Sequence, residues 1–198
     1  MYIVEQILSL RKPKATVPVI PSIAARFSPR IFQNTPITET EMASIFAAAK
    51  LAPSGRNHQP WFYFWTKKNT PAHEKLCSCI PERNQWAKAA PLLIVASYDP
   101  TEPIDLINKW AQYDLGQATM SLILQAQELG ISCRQIGSFD PEKTKQTFPE
   151  YFTGQEPLVL LAMGRMGTEA DYALAPQEII DKELTPWMRK DKIDSELK

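Results

Sequence analysis

Two arginines flank a serine in the segment at residues 26–30, Arg-Phe-Ser-Pro-Arg. Guanidinium groups form forked, charge-assisted hydrogen bonds with a phosphate or an electron-rich carbonyl, and the hydroxyl between them adds a further donor. The same pentapeptide also fits two solvated arginines at the end of a helix, which is the simpler interpretation of this segment alone. The segment therefore indicates an anion-binding site only together with a second segment that points to the same ligand.

A longer polar segment follows at residues 52–61, Ala-Pro-Ser-Gly-Arg-Asn-His-Gln-Pro-Trp. Its two prolines restrict the backbone at both ends, so the loop between them is held rigidly. The side chains between the prolines offer donors and acceptors to a planar heterocycle, and they outnumber the polar groups that a helix-to-strand turn requires. An ordinary turn is the alternative interpretation. Together with the arginine segment, this loop predicts one ligand site. The polar side chains of the loop are those of Ser54, Arg56, Asn57, His58 and Gln59.

The sequence lacks the patterns of nucleophilic, metal-dependent and nucleotide-loop chemistry. Its two histidines, His58 and His73, form no H-E-x-x-H pattern, and no G-x-S-x-G marks a nucleophile elbow. The glycines form neither G-x-G-x-x-G nor a Walker loop, so a separate Rossmann site for NAD is not expected. The three cysteines have no pairing or ligating spacing, which predicts no metal site and favours a reducing, cytoplasmic location.

Composition argues against two further classes of function. The 22 basic and 22 acidic residues cancel, so no broad cationic surface for a nucleic acid is expected. The longest apolar runs, at residues 91–96 and 157–163, have strand length and fall short of the ~20 residues of a membrane-spanning helix. We therefore expect a chain that binds neither nucleic acid nor membrane and buries one core.

The loop at residues 52–61 is expected to join a helix to a strand. Thr38-Glu-Thr-Glu41 has the capping-box pattern, which places the start of a helix at Thr38, and Pro53 ends that helix. The run Trp61-Phe-Tyr-Phe-Trp65 is aromatic on both faces of a strand, which predicts a strand covered on each side. Two buried elements would therefore hold the loop from its two ends.

Helices and strands alternate irregularly along the rest of the chain. The longest helix is predicted at Asp105–Leu129, with Gly130 ending it. Its apolar stripe fits either a core or a helix–helix dimer seam. The other predicted elements are strands at residues 91–98, 131–136 and 157–163, a helix from Thr70 to Cys79, and a helix that opens at Asp140-Pro141.

Proline content and periodicity divide the chain into three segments. Residues 1–21 are expected to form an N-terminal helix and an extended arm, because three prolines between residues 12 and 21 forbid a continuous helix. Residues 22–167 form the predicted core domain. Residues 168–198 are polar and proline-punctuated with little periodicity, which predicts a C-terminal arm.

The two polar segments together resemble the paired signature of the FMN-dependent nitroreductases. The matching patterns are R-x-S-x-R at residues 26–30 and A-P-S-x-x-N-x-Q-P-W at residues 52–61. The resemblance continues through Gly137–Pro141 and the strand ending at Gly164, and it covers nearly everything from Ser22 onward. It implies an α+β fold of three layers, with a central mixed sheet flanked by helices, in an intertwined homodimer.

The resemblance also implies which residues contact a bound FMN. Arg26, Ser28 and Arg30 would meet its phosphate, ribityl chain and pyrimidine edge. The loop at residues 52–61 would reach the isoalloxazine ring of the partner subunit's flavin, while the turn after the 131–136 strand would pass the reactive edge. The implied cofactor-binding residues are Arg26, Phe27, Ser28, Arg30, Pro53, Ser54, Gly55, Asn57, Gln59, Ile136, Gly137, Ser138, Arg189 and Lys190.

Two features depart from the family pattern. The C-terminal arm, through Arg189, is expected to return to the flavin phosphate or to the partner subunit. Where the family often has a lysine two residues before this arginine, the present sequence has Trp187, so phosphate binding would depend on Arg26, Arg189 and Lys190. The segment before Ser22 is also longer than the usual single lead-in helix.

A bound FMN would supply the hydride chemistry at its N5 atom, which explains why the chain needs no catalytic side chain or metal of its own. The resemblance implies an oxidoreductase that takes hydride from NADPH or NADH and reduces nitroaromatics, quinones or similar electron-poor acceptors in a ping-pong cycle. Two alternatives stay open. One is a flavoenzyme of the same fold with another reaction, such as dehalogenation, enone reduction or flavin fragmentation, and the other is a flavin-binding dimer without turnover.

Overall fold

The computed structural model describes residues 2–11, 17–101 and 109–186. Within these ranges the chain forms helices and one antiparallel sheet. The helices are α1 (Ile3–Arg11), α2 (Pro21–Ala25), α3 (Glu39–Lys50), α4 (Pro71–Cys77), α5 (Ala111–Glu128), α6 (Pro141–Thr147), α7 (Glu169–Ala173) and α8 (Gln177–Leu184). The strands are β1 (Trp61–Lys67), β2 (Leu92–Tyr98), β3 (Ser132–Ile136) and β4 (Glu156–Gly164).

The four strands pair in the order β1-β2-β4-β3, and each neighbouring pair is antiparallel. The prediction of a mixed sheet is therefore wrong for the described strands. The registers give the reason: Leu92 pairs with Met163, and Ser132 pairs with Gly164, so β2 and β3 start at the same end and run in the same direction. Because β4 lies between them and runs the opposite way, the two parallel strands are never neighbours.

Helices cover both faces of the sheet, and the alternation along β2 shows this directly. Leu92, Ile94 and Ala96 belong to an apolar cluster that includes residues of α3 and α5. Leu93 and Val95 point to the other face and belong to a second cluster that includes residues of α4. All five side chains are buried. The helix–sheet–helix arrangement confirms the predicted three-layer α+β fold.

The helix before the polar loop begins as predicted. The Thr38 hydroxyl accepts a hydrogen bond from the Glu41 backbone N–H at 3.2 Å, and the Glu41 carboxylate accepts from the Thr38 N–H at 2.8 Å. This reciprocal capping box makes Glu39 the first residue of α3. The helix ends at Lys50, shortly before Pro53, so the loop starts from a fixed position.

The longest helix, α5, begins at Ala111 rather than at Asp105, and residues 105–108 lie outside the described ranges. Its apolar stripe is buried within the chain, where it packs on α3 and on the sheet. The stripe is therefore core, and the alternative of a dimer seam on this face is wrong. Gly130 follows the helix with a φ of 71°, a left-handed conformation that glycine adopts without strain.

The aromatic strand β1 lies at an edge of the sheet, since it pairs only with β2 among the described strands. Trp61 is buried, but Phe62 is 39% exposed and Trp65 is 43% exposed. Tyr63 and Phe64 pack against the apolar clusters on opposite faces of the sheet. The strand is therefore covered on both sides at its middle, as expected, but not along its whole length. The aromatic pattern marks an exposed edge, not a central strand.

The two terminal segments pack against each other. Ile7 of α1, Tyr172 of α7 and Ile180 of α8 share an apolar cluster with Phe27 and Ile31. The described part of the C-terminal segment thus forms two helices where the sequence predicted an arm without periodicity. No helix within residues 2–11, 17–101 and 109–186 is long and apolar enough to cross a membrane.

Candidate functional site

The arginine segment at residues 26–30 follows α2 and is held by its neighbours. Phe27 is 7% exposed and packs into the cluster formed by the terminal helices. Arg26 Nη1 donates to the Ser28 hydroxyl oxygen at 2.9 Å, while Arg134 Nη1 of β3 donates to the Ser28 carbonyl oxygen at 2.6 Å. The segment is therefore not a pair of loosely solvated arginines, because its backbone and side chains have defined partners.

A buried glutamate joins this segment to the terminal helices. Glu183 of α8 is fully buried, and its Oε1 accepts a hydrogen bond from Arg30 Nη1 at 3.0 Å. Its backbone carbonyl accepts from Arg11 Nε of α1 at 2.7 Å. The sequence analysis missed both Glu183 and Arg11, and neither has a local pattern that would single it out.

Charge in this cluster is strongly biased toward positive. Burial raises the pKa of Glu183, and the surrounding arginines oppose that shift. Burial also lowers the pKa of Arg134 to about 10, and the nearby positive charge of Arg30 acts in the same direction. Guanidinium groups of three arginines thus face one carboxylate, an arrangement that favours a further anion.

The turn after β3 is tied to the same cluster. Asn84 Nδ2 donates to the Ser138 hydroxyl oxygen at 2.8 Å, and Trp86 Nε1 donates to Asn84 Oδ1 at 3.3 Å. The guanidinium of Arg134 lies over the Trp86 ring, 5.5 Å from its centroid. The predicted residues Ile136, Gly137 and Ser138 therefore connect through these contacts to the Ser28 carbonyl.

The polar loop at residues 52–61 has an unusual backbone. Arg56, Asn57 and Gln59 have φ values of 50°, 58° and 49°, in the left-handed region that favours glycine. The Ser54 hydroxyl accepts from the Gln59 backbone N–H at 3.0 Å, which closes the loop on itself. Such backbone strain is typical of binding sites, where the surrounding structure enforces it. The loop is therefore more than an ordinary turn.

A single buried carboxylate fixes this loop to α5. Asp114 is 2% exposed, and its Oδ2 accepts a hydrogen bond from the Gly55 backbone N–H at 3.0 Å. Its Oδ1 accepts from Gln117 Nε2 at 3.4 Å. The sequence signal for Asp114 is a charged residue on the buried side of α5, but the apolar stripe of α5 by itself indicates only packing.

We expect Asp114→Ala to lower the free energy of unfolding by about 1–3 kcal/mol, because the Gly55 N–H loses its acceptor. Asp181→Ala, which removes an exposed carboxylate bonded to Gln177, should stay within about 0.5 kcal/mol of the parent protein. Urea unfolding of both variants measures the difference. Equal stabilities would show that Asp114 does not fix the loop.

The predicted site residues fall into separate groups within one protomer. Arg26, Phe27, Ser28 and Arg30 join the turn at residues 136–138 through Arg134 and Trp86. The loop residues Pro53, Ser54, Gly55, Asn57 and Gln59 are held by another contact, the bond from Gly55 to Asp114 of α5. Arg189 and Lys190 lie outside the described residues. Arg134 was also missed; the signal available for it was one charged residue inside the Ser132–Ile136 strand pattern.

The fold and the cluster define the class of the protein as an α+β chain with a cationic cluster beside β3, an edge strand among the described strands. The model of the Nitroreductase family matches residues 23–165, which is more than half of the chain. The chain therefore belongs to the nitroreductase family and is an oxidoreductase. This membership confirms the resemblance that the two polar segments suggested.

Individual relatives cover most of the chain. A provisionally named NADH dehydrogenase/NAD(P)H nitroreductase of Archaeoglobus fulgidus is 26% identical over 149 residues, which are 75% of this chain and 84% of that protein. A protein of the same provisional name from Ralstonia nicotianae is 22% identical over 138 residues, 60% of this chain and 70% of that protein. The family match at residues 23–165 includes both polar segments.

Solved structures share the fold. The crystal structure of an oxidoreductase containing FMN superimposes with a TM-score of 0.80 at 26% identity and covers 89% of each chain. A provisionally named nitroreductase in complex with FMN from Desulfovibrio desulfuricans has a TM-score of 0.65 at 19% identity, and covers 78% of this chain and 90% of its own. The second likeness shows the fold alone.

Proposed function

We propose that the chain binds FMN and uses NADPH or NADH to reduce electron-poor acceptors such as nitroaromatics and quinones. The observation that carries this proposal is the connected cluster of Arg26, Ser28, Arg30 and Arg134 in a chain of the nitroreductase family. Two of the similar solved structures are named for the FMN they contain, and both relatives carry NAD(P)H nitroreductase names. The family membership makes the cluster a candidate cofactor site.

The described residues fit FMN on chemical grounds. A phosphate dianion matches a site in which guanidinium groups outnumber carboxylates, and a hydroxyl such as that of Ser28 suits a ribityl chain. Bound FMN would supply the hydride-transfer chemistry between NAD(P)H and the acceptor. The chain itself has to bind the cofactor, orient it and exclude water around it. We assign the phosphate side to Arg26 and the pyrimidine edge to Arg30.

The other predicted residues take positions around the ring in this proposal. Ile136, Gly137 and Ser138 line the reactive edge in this proposal; Ser138 is linked to the arginine cluster by hydrogen bonds through Asn84 to Trp86, whose ring lies against Arg134. The C-terminal residues Arg189 and Lys190 add positive charge at the phosphate. No side chain of the protein serves as nucleophile or metal ligand in this scheme.

A homodimer completes the site in our proposal, with the loop at residues 52–61 serving the partner's flavin. Two observations support it. The loop is hydrogen-bonded to α5 and the arginine segment to β3 and α8, so the two halves of the predicted site are held by different elements. In addition, β1 exposes Phe62 and Trp65 at an open sheet edge, which suits coverage by a second chain.

We expect purified protein to carry FMN or to bind added FMN with a dissociation constant of about 1 μM or lower, which corresponds to about −8 kcal/mol. NADPH or NADH should bleach the visible flavin band, and a quinone or a nitroaromatic should restore it. Absorption spectroscopy under anaerobic conditions measures both steps.

FAD is the matched control for this experiment and should bind more weakly, because the chain has no Rossmann segment for the adenosine half. A colourless protein that refuses added FMN would contradict the proposal. If NAD(P)H bleaches the flavin but no quinone or nitroaromatic restores its colour, the protein catalyses another flavin reaction of the same fold.

A further inference from the structure

The Glu183 carboxylate is buried in a way that stability alone does not explain. Its Oε1 accepts from Arg30 at 3.0 Å, whereas its Oε2 is buried without a hydrogen bond of normal geometry in the part of the chain that the structure describes, and the Tyr172 hydroxyl lies beside the carboxylate. The free energy of removing both charges from water offsets much of their electrostatic attraction. A buried ion pair is therefore weak evidence for a stabilising role. The half-satisfied carboxylate points instead to a role in holding the Arg30 side chain, which keeps 15% of its surface exposed.

The N-terminal helix holds Glu183 from the other side. Arg11 at the end of α1 donates to the Glu183 carbonyl, one of the last carbonyls of α8 that lack a partner inside the helix. The start of α1 is itself fixed by Glu169 of α7, whose carboxylate accepts from the backbone N–H groups of Ile3 at 3.1 Å and Val4 at 2.8 Å. A continuous path of contacts therefore runs from Glu169 through α1 and Glu183 to Arg30.

Apolar packing makes this path rigid. Ile7, Tyr172 and Ile180 from the three terminal helices share one buried cluster with Phe27 and Ile31. Phe27 and Ile31 stand on the two sides of the Arg30 segment in the sequence, so the segment cannot move independently of the terminal helices. We name this unit of α1, α7, α8 and the segment at residues 26–31 the terminal clasp.

Most of the terminal clasp lies outside the part of the chain that matches the family. The family model covers residues 23–165, so Arg30 is inside the match whereas Arg11, Glu169 and Glu183 are outside it. Arg30 thus lies within the family match, whereas the residues that hold it lie outside the match.

We infer that Glu183 is a positioning residue of the proposed flavin site: its carboxylate holds the Arg30 guanidinium in position for the cofactor, while Arg11 fixes its backbone carbonyl. This inference rests on the proposed function and extends it to segments beyond the family motif. The inference also assigns a role to α1 in the N-terminal segment, since Arg11 of α1 fixes the C-terminal end of α8.

Glu183→Gln tests the inference, because glutamine keeps the shape of the side chain and removes its charge. Without the carboxylate, Arg11, Arg30 and Arg134 repel one another, and Arg30, which is partly exposed, is the one able to move toward solvent. We expect FMN affinity to fall at least tenfold. Glu178→Gln is the matched control: it is the same substitution on the same helix, at an exposed residue paired with Lys182, and it should leave affinity unchanged.

A double-mutant cycle separates positioning from a general loss of structure. If Glu183 acts through Arg30, Glu183→Gln should change FMN affinity less than twofold in an Arg30→Gln background. Glu183→Asp, which retains the charge on a shorter side chain, should recover part of the lost affinity. If Glu183→Gln does not fold, Glu183→Asp tests the same interaction in its place. A merely structural role predicts equal losses in both backgrounds and no recovery by aspartate.

Fluorescence titration with FMN distinguishes the possible failures. If neither the parent protein nor Glu178→Gln binds FMN, the proposed function is wrong. Parent protein that binds FMN while Glu183→Gln binds it equally well would overturn the role of Glu183 and leave the flavin site standing. Additive losses across the cycle would also overturn the role of Glu183.

Discussion

Equal amounts of an Arg26→Glu chain and an Asn57→Trp chain should regain about a quarter of the parent activity once their subunits exchange, although each variant alone is inactive. Arg26 serves the flavin of its own subunit in our proposal, whereas Asn57 serves the partner's flavin. A mixed dimer therefore collects both lesions in one site and keeps the other intact. Random exchange makes about half of the dimers mixed, and each of these has one working site of its two.

The same two substitutions placed in one chain give the matched control. When that doubly substituted chain is exchanged with parent chain, every site of a mixed dimer carries one lesion, so only the parent dimers stay active. Sites built within a single chain predict the reverse pattern, with no recovery in the first mixture and one working site per mixed dimer in the second. Steady-state quinone reduction after subunit exchange in mild urea measures both mixtures.

Charge reversal at Arg26 is expected to have the second large effect. In our proposal, Arg26→Glu removes a charge-assisted hydrogen bond to the FMN phosphate and places a carboxylate against it. A loss of about 3 kcal/mol or more corresponds to at least a hundredfold weaker binding of FMN. Equilibrium titration with FMN, monitored by flavin fluorescence, measures the change.

Lys75→Glu makes the same charge change at an exposed residue of α4 and should leave FMN affinity within about threefold of the parent value, since exposed charges at a distance are screened. Thermal unfolding of the cofactor-free proteins checks that Arg26→Glu still folds. A folded Arg26→Glu protein that binds FMN as tightly as Lys75→Glu would remove Arg26 from the phosphate site.

Local patterns predicted many of the helices and strands. The capping box at Thr38, the Thr70 cap of α4 and the Asp140 cap of α6 all have the side-chain bonds that their patterns predict. Each signal is contained within one helical turn, so the sequence is sufficient to recognise it. The strand around Leu92–Tyr98 was equally clear because an apolar run of strand length has few alternatives.

Local sequence patterns do not predict which strands pair with one another. An aromatic strand with large residues on both faces fits a central strand as well as an edge that a partner covers, and β1 is at the edge. The insertion of β4 between β2 and β3 is likewise a long-range arrangement that no local signal encodes. The family resemblance implied a mixed sheet, whereas the described strands pair only antiparallel.

The motif residues of the candidate site could be predicted, whereas the residues that hold them could not. The contacts of Arg11 and Arg30 with Glu183 join positions 172 and 153 residues apart, and the Arg134 contact with Ser28 spans 106 residues. A single buried charge has no periodicity, so nothing in the sequence marks its partner. Their roles toward FMN stay predictions that the variants above test.

The open edge of β1 has a consequence for handling the protein. Its outer N–H and C=O groups, next to the exposed Phe62 and Trp65, form a template on which an extended strand of any other chain can pair. If the homodimer covers this edge, the lone protomer is the aggregation-prone species during expression and refolding. Conditions that favour early association of chains, including supplementation with FMN during refolding, would then raise the yield of dispersed protein.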